Sequence, residues 1–228
     1  LYQNIAKSTL FSTDQKLRFQ FKRVEYIRSN SDINNKDKLY IETLKNIAQE
    51  YKDNPSMQLA YIKLTEYYLQ LAERNNNQDS DSEIDAYKEV YRWIQKGKVE
   101  FPKGEYNDIV EDQRMRLNKQ SLKVQTEQVV VANTDFLANV QYRNSPTVYL
   151  MLLKLNTEQL DQYNLKRRQD DKLSYLLSQS KLKEWNIKLP KADDFNNHSI
   201  EIPIDGLDFG TYFLLSSTNS NFEYDDYD

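Results

Sequence analysis

The sequence contains no cysteine, one histidine, four glycines and five prolines in 228 residues. Without cysteine, this segment has no disulfide, thiolate metal site or cysteine nucleophile. The glycines are too dispersed for a phosphate-binding loop; they are Gly97, Gly104, Gly206 and Gly210. His198 has no second histidine or cysteine with which to share a metal, so a surface or edge position on a strand is the better interpretation than a catalytic role. The sequence therefore predicts no catalytic, cofactor-binding or metal-binding residue.

Long apolar runs are also missing. None approaches the roughly 20 residues that span a bilayer, and no signal peptide is visible. The chain begins at Leu1 without a methionine and ends in an acidic run, so we expect a fragment of a longer protein. The charges are well mixed around a net charge of −4, with no basic stripe. Nucleic acid is therefore an unexpected partner.

Aromatic residues are abundant, with 17 tyrosines and nine phenylalanines. Because an aromatic side chain buries a large area, this composition supports a core despite the low hydrophobic fraction of 39%. The length exceeds that of a typical single domain, which favours two.

Residues 1–119 show the apolar spacing of five successive helices. We expect Ser12 or Asp14, Asp37, Ser56 and Ser82 to begin four of them. The fifth is expected at about Glu105 to Leu117. The predicted inward residues of the last two helices are Ala86, Tyr87, Val90, Tyr91, Ile94, Phe101, Tyr106, Ile109 and Val110.

Small residues stand where neighbouring helices should touch, and a Phe-Pro pair at Phe101-Pro102 ends a helix. The small residues are Ala48, Ala60, Ala86 and Gly97. This style of pairing resembles tetratricopeptide-type (TPR-like) helical hairpins.

From residue 120 the apolar period changes to two, which is typical of strands. Strands are expected from Leu122, at Phe136 to Tyr142 and at Val148 to Leu155, and the last is apolar enough for a central strand or one buried on both faces. Three strands so close together predict one antiparallel sheet. Further strands are expected at 184–189, 198–204 and 211–216.

A charged helical insertion is expected at about 157–184. The predicted fold is α+β with two domains. A TPR-like helical domain at 1–119 precedes an immunoglobulin- or fibronectin-like β-sandwich at 120–218, and 219–228 is a linker or the start of another domain.

The stretch from Ala86 to Phe222 resembles the N-terminal part of bacterial, Bacteroidetes-type α2-macroglobulin-like proteins. The resemblance rests on an ordered set of landmarks. They are Trp93-Ile94, Phe101-Pro102-Lys103-Gly104, Leu122 to Val130, a hairpin from Tyr142-Arg143-Asn144 to Val148-Tyr149-Leu150, Trp185, Leu189-Pro190, His198 to Ile202, and Leu207 to Leu214.

The resemblance implies one macroglobulin-type domain within a long, exported, periplasmic or outer-membrane-associated relative of the protease inhibitors that trap proteases. Its implied partners are the other domains of the parent chain and attacking proteases, and any membrane anchor lies outside this segment. The family's thioester needs a cysteine in a distant domain, so this segment cannot hold it. The alternative is a helical-repeat and immunoglobulin-like adaptor that binds peptides, proteins or glycans at the cell surface.

Four other features each have a functional interpretation and a simpler structural one. Residues 79–85 resemble a calcium loop but lack its glycine and its final glutamate, so a solvated loop is favoured. Residues 166–168 are interpreted as a solvated helix face, and the acidic residues 223–228 as a linker. Four tyrosines at helical spacing are interpreted as core rather than as a peptide groove; they are Tyr67, Tyr68, Tyr87 and Tyr91.

Overall fold

The computed structural model describes residues 9–75 and 85–222. These residues form seven α-helices and two antiparallel sheets of three strands each. Five helices come first and the strands follow, so the predicted mixed α and β composition, with helices preceding antiparallel strands, is confirmed. The chain divides into two compact units, residues 1–118 and 119–228. We call them the helical unit and the sandwich unit.

The described residues of the helical unit form five α-helices and one short 3₁₀ turn. They are α1 Thr13–Asn30, α2 Lys36–Glu50, the 3₁₀ turn Pro55–Met57, α3 Gln58–Asn75, α4 Ala86–Glu100 and α5 Asn107–Asn118.

The helix starts agree only in part with those predicted. Ser12 caps α1, and Gln15 completes a capping box. Asp37 is not a cap: α2 begins after Asn35, and the Asp37 carboxylate instead accepts a hydrogen bond from Arg28. Ser56 is buried in the 3₁₀ turn, where its hydroxyl donates to Asp14. The remaining predicted cap, residue 82, lies outside the described residues.

Two predicted core residues are exposed because the buried stripes of their helices are narrow. On α5 the stripe consists of Val110, Gln113 and Leu117, and Ile109 lies beside it. On α4 the stripe passes through Ala86, Tyr87, Val90, Trp93, Ile94 and Gly97. Tyr91 flanks that stripe and is largely solvent-exposed. One stripe covers only about 100° of a helix surface, so a neighbour one residue away can face water.

Six strands and two helices build the sandwich unit. They are β1 Ser121–Gln125, β2 Phe136–Arg143, β3 Thr147–Leu155, α6 Thr157–Asn164, α7 Gln169–Leu177, β4 Lys181–Lys188, β5 His198–Ile204 and β6 Thr211–Ser217. One sheet has the order β1-β2-β5 and the other has the order β4-β3-β6, with antiparallel pairing throughout.

The first three strands therefore do not form one sheet, and the predicted hairpin between β2 and β3 is wrong. The chain passes from one sheet to the other at Asn144, which adopts a positive φ of 54°. The connection is fixed by the Leu189 amide, which donates to the Pro146 carbonyl at 2.9 Å. β2 and β3 are therefore the central strands of two different sheets, and the backbone groups on both edges of each strand are hydrogen-bonded.

Both sheets contribute to one core, which makes the unit a β-sandwich. Buried side chains of β2 and β5 meet those of β3; they include Ala138, Val140, Tyr142, Val148, Leu150, Ile202 and Ile204. The apolar alternation along each strand places these residues on the inner face of its sheet.

A second core covers the other face of β3. Met151, Leu153 and Leu155 pack there with Leu176 of α7 and with Phe222. β3 is the central strand of its sheet and is buried on both faces, so both alternatives predicted for it are confirmed. The predicted insertion at 157–184 is too long, because α7 ends at Leu177 and residues from Lys181 onward belong to β4.

Candidate functional site

A cleft of about 420 Å³ lies between α1 and α2 and is lined by these two helices and the loop that joins them. We call it the α1–α2 cleft. Its apolar side chains are Val24, Ile27, Ile33, Leu39, Tyr40 and Ile47. Leu44 and Ala48 of α2 are buried, whereas Ile27, Ile33 and Leu39 remain about half exposed. The cleft is therefore an apolar surface that the described residues leave uncovered.

Cations predominate around this cleft. Arg23, Arg28 and Lys36 line it against a single acidic residue, Glu50. The charge of Arg28 is balanced by Asp37, whose Oδ1 lies 2.8 Å from Nε. Lys36 donates through Nζ to the backbone carbonyl of Ser31 at 3.2 Å, a contact with no opposite charge. The cleft thus combines an apolar floor with a net positive rim.

Arg28 forms one wall, where its guanidinium lies over two aromatic rings. Its guanidinium carbon lies 4.8 Å from the ring centroid of Tyr40 and 4.8 Å from that of Tyr67. The two rings are themselves 6.1 Å apart. Burial raises the pKa of Tyr40 to about 12, so its hydroxyl stays neutral at physiological pH. This wall is held by cation–π contacts within the chain.

Ser31 adds an unused polar group to the same cleft. Its Oγ is buried and has no hydrogen-bond partner in the described part of the chain. The Ser31 amide is occupied, because it donates to the Ile27 carbonyl at the end of α1. A hydroxyl can donate or accept, so Ser31 offers a partner one polar contact beside apolar side chains.

A second hollow, of about 490 Å³, is lined mainly by α1, α3 and α5. Most of its charged side chains are paired: Lys63 bonds Glu25 within the hollow, and Glu66 pairs with Arg116, which lies outside the lining, at 3.0 Å. Gln113 is buried there and donates to the Ile62 carbonyl at 2.9 Å. Since its charges are mostly satisfied internally, this hollow is less suited than the α1–α2 cleft to recognise a charged partner.

The four tyrosines considered as a groove do not lie together on one surface. Tyr68 and Tyr87 are buried, as the core interpretation predicts. Tyr67 stacks on Arg28, and Tyr91 is exposed. The structure therefore places one of the four, Tyr67, beside the candidate site.

His198 begins β5, an edge strand, as predicted. Its Nε2 lies 2.8 Å from Oδ1 of Asp194. Burial works against ionisation of Asp194, but hydrogen bonds from His198 and Asn196 keep its pKa below the ordinary value. The imidazole also packs against Tyr142, with centroids 5.8 Å apart. These contacts fasten the start of β5 to the loop before it.

The basic cluster at 166–168 lies in the loop that connects α6 to α7, so its interpretation as a helix face is wrong. Lys166 lies over the Tyr175 ring at 5.0 Å, and Arg168 pairs with Asp170 at 3.1 Å. The cluster is thus engaged locally. All but the last of the calcium-loop-like residues 79–85, and all of the acidic residues 223–228, lie outside the described residues.

The sequence alone did not predict the α1–α2 cleft. A signal was present, because Ile27 and Leu39 are apolar residues outside the buried stripes of their helices and Ile33 is an apolar residue in the loop between them. Scattered exposed apolar residues are common, however, and only the fold brings these three around one cleft.

Comparison with known proteins gives no family: no protein-family model matches the chain, and no curated protein matches it. Within residues 9–75 and 85–222, no group of three or more His, Cys, Asp and Glu side chains is placed to hold a metal ion. None of the helices in the described part of the chain has the length and apolarity required to cross a membrane.

Proposed function

We propose that this chain is a non-catalytic interaction segment of a large exported protein related to the α2-macroglobulin-like protease inhibitors. The supporting observation is the strand order of the sandwich unit. In immunoglobulin-like sandwiches the first, second and fifth strands share a sheet, and the third and sixth lie in the other. These five strands have the same distribution in the sheets β1-β2-β5 and β4-β3-β6, whereas β4 lies beside β3 and not in the first sheet, where constant-type domains have their fourth strand.

The helical unit supports the same proposal through its packing. Gly97 of α4 faces Tyr61 of α3, and a Cβ at Gly97 would lie 3.9 Å from the Tyr61 side chain. This close approach is what small residues permit between paired helices. The second hollow is lined mainly by α1, α3 and α5, with one residue of α2, Tyr40, and a surface shared by helices of successive hairpins is what we expect of TPR-like stacking. In this proposal the helical unit and a macroglobulin-type domain present or hold the rest of an extracytoplasmic molecule.

The complete gene tests this proposal. We expect the reading frame to continue past codon 228 into further β-sandwich domains and to begin with an export signal. A reading frame that stops soon after codon 228, or one that leads into an enzyme domain, would contradict the inhibitor relationship.

A second candidate function is that of an adaptor, and the α1–α2 cleft favours it. The uncovered cleft joins an apolar floor to the cations Arg23 and Lys36. We propose that it binds an amphipathic helix with acidic flanks. A helix suits the shape, because the cleft runs between two helices, and the 15 residues of α2 extend about 22 Å, or about four turns.

Peptide binding tests the adaptor function. The probe is an 18-residue helical peptide with leucines at i, i+3, i+4 and i+7 and glutamates on the flanks, and its control carries lysines in place of the glutamates. The variants Ile33→Asp and Leu39→Asp should weaken binding of the acidic peptide at least about tenfold, because each adds an acid to an apolar floor.

Met115→Asp provides the matched control, because Met115 is an equally exposed apolar residue on α5 that does not line the cleft. All variants should keep the thermal unfolding midpoint of the parent chain. Equal binding of the acidic and basic peptides, or an equal loss in the Met115→Asp variant, would rule out the cleft as the site.

A further inference from the structure

The end of the sandwich unit opposite the β2–β3 connection is formed by two loops that are tied together. The first spans residues 126–135 between β1 and β2, and the second spans 205–210 between β5 and β6. The Asn133 amide donates to the Leu207 carbonyl at 2.8 Å, and the Gly206 amide donates to Asp135 Oδ1 at 2.8 Å. We call the two loops together the sandwich-end surface.

Backbone packing fixes the relative position of these loops. A Cβ at Gly206 would lie 2.6 Å from the backbone carbonyl carbon of Asn133, so only glycine permits this approach. Asn133 itself adopts a positive φ of 56°, which asparagine tolerates better than most residues. The pairing depends on these residue types, and the side chains the loops carry are therefore presented in a defined arrangement.

Those side chains are unusually apolar for loop tips. Phe209 is 93% exposed, Val129 86% and Val131 74%. None contributes to the buried core of the sandwich. Two hydrogen-bonded loops thus carry three highly exposed apolar side chains, and apolar side chains gathered on one surface mark interaction sites.

The charges on the same loops have one sign. Every charged residue in 126–135 and 205–210 is acidic; these residues are Glu127, Asp135, Asp205 and Asp208. Among the cations of β3 and β4, Lys183 is paired with Asp205 and Lys154 lies over the Tyr212 ring at 5.2 Å. The apolar tips thus belong to loops whose own charged residues are all acidic.

We propose that the sandwich-end surface docks a protein whose complementary face has an apolar patch rimmed by lysine and arginine. An anionic membrane would be repelled by the acidic flanks, and two copies joined through the same surface would bring like charges together. A protein partner with a basic rim satisfies both the apolar tips and the charge. This site lies wholly in the sandwich unit and does not depend on the α1–α2 cleft.

Binding of two peptides to the intact chain tests the proposal. One carries Leu-Phe-Leu between lysines on both sides, and the other carries the same core between glutamates. We expect binding of the lysine-flanked peptide only, detected by fluorescence anisotropy, and we expect it to weaken as salt rises. The double variant Val129→Ser/Phe209→Ser should bind at least about tenfold more weakly.

Two further variants separate a specific surface from general stickiness. Val99→Ser removes another apolar side chain, 77% exposed on α4, and should leave binding unchanged. Glu127→Lys/Asp208→Lys should shift the preference toward the glutamate-flanked peptide. Absence of binding, equal binding of the two peptides, or equal loss in Val99→Ser would overturn the proposal.

Two other occupants of the sandwich-end surface, a lipid surface and a second copy of the chain, are tested in parallel. Vesicles of phosphatidylcholine with one quarter phosphatidylglycerol test a lipid surface, and sedimentation velocity tests a second copy. Either vesicle binding or self-association that is abolished by Val129→Ser/Phe209→Ser would assign the surface to that occupant and overturn the protein-docking proposal. We expect neither.

Discussion

The side chain of Gln58 occupies the space that a Cβ on Gly104 would need. A Cβ built at Gly104 would lie 2.2 Å from Oε1 of Gln58. Gln58 is fully buried at the start of α3, where Oε1 accepts from the Tyr106 amide at 3.0 Å and Nε2 donates to Asn107 Oδ1 at 2.7 Å. One residue of α3 therefore holds the turn that leads into α5.

This relationship predicts that Gly104→Ala destabilises the helical unit. The added methyl would have to displace the buried carboxamide of Gln58, which makes two hydrogen bonds. Overpacking of this kind lowers the free energy of unfolding by about 1–3 kcal/mol. Urea unfolding followed by circular dichroism measures the loss. Gly97→Ala is the matched control: its Cβ would make an ordinary 3.9 Å contact with Tyr61, and alanine favours the interior of α4. Equal destabilisation of both variants would contradict the account.

Gln58→Leu should also destabilise the chain, through lost hydrogen bonds rather than a clash. Leucine has nearly the same size but leaves the Tyr106 amide without its acceptor, at a cost of about 1–3 kcal/mol. In the double variant Gln58→Leu/Gly104→Ala, the two effects should not add, because both residues act at one contact. Additive losses in urea unfolding would mean that the two residues act separately.

The raised pKa of Tyr40 predicts that the stability of the chain falls at alkaline pH. Burial raises the pKa of Tyr40 to about 12, above the ordinary value of 10.0. Tyrosine ionises in the unfolded chain first, so its stabilising contribution is complete below pH 10 and is lost as the pH rises toward 12. Tyr40→Phe should therefore lose less stability than the parent between pH 10 and 12. An identical loss in both proteins, measured by thermal unfolding at each pH, would show that Tyr40 titrates normally.

The lowered pKa of Glu111 predicts that the stability of the chain falls at acidic pH. Hydrogen bonds from Arg114 and from Lys98, whose Nζ lies 3.0 Å away, lower the pKa of Glu111 to about 2. Its contribution to stability is present above pH 4.5 and is lost as the pH falls toward 2. Lys98→Met should raise this pKa, as followed by carboxyl-carbon NMR. Lys96→Met, which removes a cation paired with Glu100 instead, should leave the pKa of Glu111 unchanged.

Local patterns predicted much of this fold because local physics determines it. The capping box at Ser12 needs only residues three apart, and the apolar run of β3 reveals burial on both faces. The distribution of β2 and β3 between sheets was missed because strand pairing is a long-range choice that no local turn signal specifies. The α1–α2 cleft was missed for the same reason, since it depends on how two helices pack.

Protease trapping by the complete protein tests the proposed inhibitor relationship most directly. The protein is mixed with an active protease, and cleavage of a large protein substrate is compared with cleavage of a short peptide substrate. A trap blocks large substrates sterically while the protease keeps its active site, so we predict that protein cleavage falls and peptide cleavage persists. If both activities remain, or both disappear together, the assignment of this chain to a trapping inhibitor is contradicted.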